Sequence, residues 1–118
     1  MEVQSSDQLT GKQCEPCQGV EPYSLPQAQQ QVAQLNDWKL THDGKRIRRD
    51  WVVKNFLTAI DFFGKVSVLA ESEAHHPDLH VENYKDVWIE IWTHDIGGLC
   101  ENDFIMAAKI DEIPVELG

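Results

Sequence analysis

Two adjacent histidines, His75 and His76, stand directly before Pro77, and a third, His94, follows further along the chain. Imidazole, with an unperturbed pKa of about 6.5, is the side chain best suited to give and take protons near neutrality. If the three rings converge on one small molecule, they form an acid/base site that needs no metal. Cys14 and Cys17, two positions apart from being neighbours, raise zinc or redox chemistry. The set is incomplete, because a structural zinc takes about four ligands and only Cys100 and distant histidines remain. A thioredoxin-like site would need a strand before the cysteines and a helix after them, and neither is suggested, so the pair is read as part of a plain arm. The string from His75 to His80 also invites a metal, yet adjacent side chains at a helix end splay apart. His42 and His80 read as solvent-facing strand residues.

These residues must be placed by one domain. The chain has 118 residues, of which 42% are hydrophobic and 25% charged, the composition of a soluble globular domain. A net charge of −10 repels phosphate backbones and anionic lipid, which argues against direct nucleic-acid or membrane binding. No apolar run approaches the roughly 20 residues of a bilayer span, and Met1 to Lys12 lacks the pattern of a secretory signal, so a cytoplasmic protein with reduced thiols is expected.

Residues 1–26 are rich in Gln and Ser and broken by Pro16, Pro22 and Pro26; they are expected to be an irregular arm with no part in the core, preceding a domain over residues 27–118. From Pro26, the apolar Ala28, Val32 and Leu35 predict a short helix. Asp43 and Gly44, between extended runs, predict a hairpin. The stretch Asn55 to Glu73 changes to a helical period, with Phe56, Ile60, Phe63, Ser67 and Ala70 as the core face, widened by Leu57, Val66 and Leu69. Pro77 stops that helix near His76, so the histidine pair sits at a helix exit.

Beyond it come a short strand over Leu79 to Glu82, a polar turn, and the strand-forming run Val87 to Thr93. There Val87, Ile89 and Ile91 face one side, while Trp88, Glu90, Trp92 and, if the strand persists, His94 face the other. Glu101 to Ile113 is helical again until Pro114. The order α-β-β-α-β-β-α predicts an α+β two-layer domain, with a mainly antiparallel four-stranded sheet and helices on one face. The open face, with its two tryptophans, suggests burial against a second copy.

Residues 70–104 resemble the signature of the pterin-4a-carbinolamine dehydratase family: an acidic residue four before the first histidine, the His-His-Pro core, an aromatic, a later histidine and then an aspartate. Glu71, His75, His76, Pro77, Tyr84, His94 and Asp103 fill those places, and a looser likeness covers roughly residues 27–113. The resemblance implies dehydration of 4a-hydroxytetrahydropterin to quinonoid dihydropterin, the recycling step after aromatic amino acid hydroxylases, without metal or organic cofactor. It implies catalysis by His75, His76 and His94, and substrate contacts from Glu71, Ala74, Pro77, Trp92, Thr93, Asp95 and Asp103, with a homodimer or homotetramer as the working form. Ala74 stands where animal members carry an acidic residue and Asn102 where they carry arginine, so the grip on the substrate is expected to differ. Animal members also act as dimerisation cofactors for a transcription factor, and some relatives with degraded histidines are scaffolds; that non-catalytic role is the alternative, against which the retained histidines speak.

Overall fold

The computed structural model describes residues 2–118. Four antiparallel strands form one sheet in the order β1-β2-β4-β3: β1 Lys39–Thr41, β2 Arg46–Val52, β3 Asp78–Glu82 and β4 Asp86–Ile91. The helices are α1 Ser6–Thr10, α2 Leu25–Val32, α3 Phe56–Glu73 and α4 Glu101–Asp111. The α+β architecture expected from the pattern of elements is the one observed.

Local sequence explains most of these boundaries. Ser24 caps α2 in a reciprocal box with Gln27, and Asn55 caps α3 by accepting from the Thr58 amide. The β1–β2 turn runs through His42, Asp43 and Gly44, all with positive φ, which places His42 on a turn and not on a strand as its flanks suggested. Between β3 and β4, Asn83 and Tyr84 both take positive φ, the geometry whose twist matches a tight hairpin.

In the sheet, alternation puts Ile47, Trp51, Val87, Ile89 and Ile91 in the core beneath the helices. On α3 the buried face is Ala59, Phe62, Val66 and Ala70, with Phe63 and Leu69 partly covered. Phe56, Leu57 and Ile60, expected on that face, are exposed, as is Val68. The helix is apolar around much of its circumference, so periodicity alone allowed more than one stripe, and packing against Trp51 and the sheet selected the one centred on Phe62.

The N-terminal segment also departs from expectation. It is not irregular throughout, since residues 6–10 form a helix closed by a capping box between Ser5 and Gln8. Nor is it outside the core: Leu9 is fully buried, α1 lies against α4, and Gln4 exchanges two backbone-to-side-chain hydrogen bonds with the buried Gln31 of α2. One large apolar side chain on a short helix was enough to anchor the segment. Leu9→Ala should therefore destabilise the protein by about 2–4 kcal/mol, read as a lower midpoint with unchanged slope in urea denaturation; a change within about 0.5 kcal/mol would mean that the segment is only loosely laid on α4.

Candidate active site

The site forms where α3 ends and β4 runs out. Ala74 closes α3 in the left-handed conformation, φ 52°, and the amide of His75 bonds back to the Ala70 carbonyl at 3.2 Å. This reversal turns His75 and His76 away from the helix axis before Pro77 sends the chain into β3. On the other side β4 ends at Ile91, and Thr93 and Gly98 pair across a closed loop. His94 is thus not a strand residue; it opens a single 3₁₀ turn within that loop. Gly97 completes the turn at φ 63°, and Gly98 passes so near Pro22 that any side chain there would collide.

His75, His76 and His94 border one cleft of about 340 Å³, with Ala74, Pro77, Trp92, Thr93 and Asp95 among its walls. Each ring has a different anchor. His75 is mostly buried and its Nε2 lies 2.7 Å from Oδ1 of the fully buried Asp103. The second carboxylate oxygen of Asp103 accepts from the Thr93 hydroxyl at 2.8 Å and the Cys100 amide at 2.9 Å. Asp103, expected among the substrate contacts, is thus enclosed by protein groups, and its reach to the cleft is through His75. Thr93 is also buried, with its hydroxyl committed to Asp103.

His76 and Glu71 are both exposed, their Nε2 and Oε2 2.5 Å apart. Glu71, expected among the substrate contacts, reaches His76 and not His75, which lies one helical turn beyond it in sequence. The chain reversal at Ala74 accounts for the exchange, because it carries His75 inward and leaves its neighbour over the outer face of α3.

His94 is held by stacking. Its ring lies on the indole of Trp92, centroids 3.9 Å apart, while the guanidinium of Arg46 covers Trp92 at 4.2 Å from the ring centroid. Asp78 accepts from the Trp92 indole nitrogen, and Arg46 is tied to the buried Glu90 at 2.9 Å. Burial pushes the Glu90 carboxyl up, but hydrogen bonds from Arg46 and Thr41 outweigh it and hold the group below the usual range. A matching stack of Arg48, Trp88 and His80 stands on the same sheet face, so both tryptophans expected to seek a second copy are flanked by cation and imidazole of their own chain.

Sequence reasoning missed the wall behind His75. Asn102 accepts from the amide of Glu15 at 3.0 Å and donates to the Glu15 carbonyl, the amide of Cys14 donates to Glu73, and Cys17 is disulfide-bonded to Cys100. Three reduced thiols were expected; the cysteine pair close in sequence is not the one joined, because the arm doubles back over the start of α4 and brings Cys17 to a residue 83 positions away. Cys14 is the free cysteine, and burial, followed by the charge of Glu73, pushes its thiol up to about 12. Among the described residues no cluster of His, Cys, Asp and Glu is arranged to hold a metal ion.

The sequence profile of the pterin 4 alpha carbinolamine dehydratases matches residues 21–113. The chain belongs to that family. Pterin-4-alpha-carbinolamine dehydratases are hydro-lyases, and two relatives show how far the likeness runs. The mitochondrial pterin-4-alpha-carbinolamine dehydratase 2 of Arabidopsis thaliana is 46% identical over 92% of this chain, which spans 60% of that protein's length. An inferred pterin-4-alpha-carbinolamine dehydratase of Methylococcus capsulatus is 42% identical over 92% of this chain and 95% of its own. The crystal structure of a transcriptional coactivator/pterin dehydratase from Brucella melitensis superposes with a TM-score of 0.71 at 26% identity, over 77% of this chain and 96% of that one. The Arabidopsis relative's mitochondrial name bears on the expectation of a cytoplasmic protein; here, no helix among the described residues is long and apolar enough to cross a membrane.

Two outcomes follow from the anchors. Asp103→Ala leaves the Thr93 hydroxyl, the Cys100 amide and the His75 ring without their acceptor and should cost about 2–4 kcal/mol by chemical denaturation, with Asp103→Asn losing clearly less. Arg46→Ala should free the Trp92 ring, so that the His94 ring-proton resonances, displaced upfield by the indole, move toward their random-coil positions in NMR spectra; unmoved resonances would show that Arg46 does not hold the stack.

Proposed function

We propose that this chain dehydrates 4a-hydroxytetrahydropterin to quinonoid dihydropterin plus water, with His75, His76 and His94 as the proton-transferring groups. The observation that carries the reading is that all three imidazoles border one cleft of about 340 Å³, within the size of a small-molecule site. The family supports the substrate class.

The chemistry asks little beyond placed protons. The ring nitrogen beside C4a supplies the electron pair that expels the hydroxyl, so one group must protonate the departing oxygen and another must take the proton that the nitrogen loses. In a protonated imidazole at His76 or His75, the first proton is available; a neutral His94, across the cleft, accepts the second. One proton is given and one taken, so the three rings keep their proton total, and exchange with solvent returns the donor to its protonated and His94 to its neutral form once water departs. His75, with Nε2 directed at Asp103, is fixed in orientation, and the residue borders the cleft. Pro77 offers apolar surface for the bicyclic ring, Trp92 borders the cleft and backs the His94 ring, and Glu71 holds the exposed His76 ring near its working position. Ala74 is read as shaping the rim and Asp95 as a polar contact in the wall, while Glu71 does not line the cleft and acts through His76.

The reading includes a homo-oligomer. Exposed Phe56, Leu57, Ile60 and Val68 on α3 offer apolar surface for it, where the sheet face does not. The coactivator role named for the Brucella neighbour is the second reading.

The test is ultraviolet monitoring of chemically generated 4a-hydroxytetrahydropterin. Wild-type protein should accelerate loss of the carbinolamine, His76→Ala and His94→Ala should each lose about 10²–10⁴-fold, and a triple His→Ala variant should match the buffer rate. Full activity in the triple variant would reject histidine catalysis while leaving the family assignment in place.

A further inference from the structure

Two stacks of the same make stand on the open face of the sheet, and they differ in how their arginines are held. Arg48 lies over Trp88 at 4.5 Å from the ring centroid, and His80 lies on the same indole with centroids 4.7 Å apart. The carboxylate that binds Arg48 is Asp50, which is exposed and accepts two hydrogen bonds of 2.8 Å. Arg46, Trp92 and His94 repeat the order, but here the carboxylate is Glu90, only 7% exposed. His80 is not among the walls of the histidine cleft, whereas His94 is. A surface ion pair is thus enough to keep arginine, tryptophan and histidine together on this face, and the buried anchor stands where the imidazole borders the cleft.

Burying a carboxylate is unfavourable unless both of its oxygens are bound, and Glu90 meets that condition. Its Oε1 accepts from Arg46 at 2.9 Å and its Oε2 from the Thr41 hydroxyl at 3.1 Å, with His42 Nδ1 at 3.9 Å from Oε2. Arg48 stands directly opposite Glu90 in the β2–β4 register but is taken by Asp50, which leaves Glu90 to Arg46. Asp78 fixes the edge of the Trp92 indole by accepting from its nitrogen at 3.2 Å. We infer that Glu90 is a positioning residue for the dehydration, holding the His94 ring at the cleft through Arg46 and Trp92, an inference that rests on the dehydratase reading. Neither Glu90 nor Arg46 lines the cleft, so what they contribute reaches a substrate by way of the Trp92 and His94 stack. A guanidinium clamped by a buried charge keeps its plane over the indole, and the indole in turn sets the plane of the imidazole that must meet the reacting nitrogen.

The test is Glu90→Gln, which keeps the shape and an acceptor but removes the charge. In carbinolamine dehydration its kcat should fall about 10–100-fold, the range for a misplaced reacting group, while KM changes less than about twofold. In NMR spectra the His94 ring-proton resonances should move downfield, in the direction expected for Arg46→Ala, and those of His75, anchored separately on Asp103, should stay in place. Glu90→Asp keeps the charge at a shorter reach; it should recover part of kcat, and it carries the same comparison should the glutamine variant fail to fold. Arg48→Ala, the corresponding change beside the other stack, should move the His80 resonances and leave kcat unaltered. Unmoved His94 resonances, movement of His75 and His94 alike, or a raised KM at unchanged kcat would overturn the positioning role. If the wild-type protein does not speed dehydration, the dehydratase reading fails, and the His94 resonances alone decide whether Glu90 sets that ring.

Discussion

Asp103 is the hub on which the geometry of the site turns. A fully buried carboxylate is costly unless both of its oxygens find donors. This one has three: the His75 ring, the Thr93 hydroxyl and the Cys100 amide. They come from the exit of α3, from the loop after β4 and from the cap of α4. Satisfying one charge thus fixes the exit of α3 against the β4–α4 loop and the start of α4, and a proton-transferring ring can be placed only as well as those segments are.

The supports of the three histidines differ in kind, and the difference suits their exposure. His75 is held by a buried charge-assisted bond, which tolerates little displacement. His94 is exposed on a loop and is steadied by a flat stack whose far side is a guanidinium locked to Glu90. His76 and Glu71 form an exposed pair, of the kind that contributes little to stability and leaves both side chains free to adjust. The site therefore grades from rigid to adaptable across the cleft.

What was legible in the sequence was local. Alternation along β4, the turn residues Asp43 and Gly44, and Pro77 after a long helical period fixed the sheet, its hairpin and the helix exit, because each signal acts within a few residues. The core stripe of α3 was misread because Phe56, Leu57 and Ile60 are as apolar as Phe62 and Val66, and only the partner surface decides which of them it covers. Contacts spanning most of the chain left no local trace: Asn102 to Glu15, Cys17 to Cys100, and Leu9 under α4. The histidine doublet and His94 were found through their residue types and the family pattern. Which carboxylate serves which ring was not, since the left-handed Ala74 exchanges the partners that helical spacing suggests.

The indole of Trp92, sandwiched between Arg46 and His94, has an optical consequence. A protonated imidazole quenches the emission of a stacked indole more strongly than a neutral one does. The emission of Trp92 is accordingly coupled to the charge state of the ring that borders the cleft, as that of Trp88 is to His80, so with Trp88 replaced the protein carries a label-free gauge of the His94 proton.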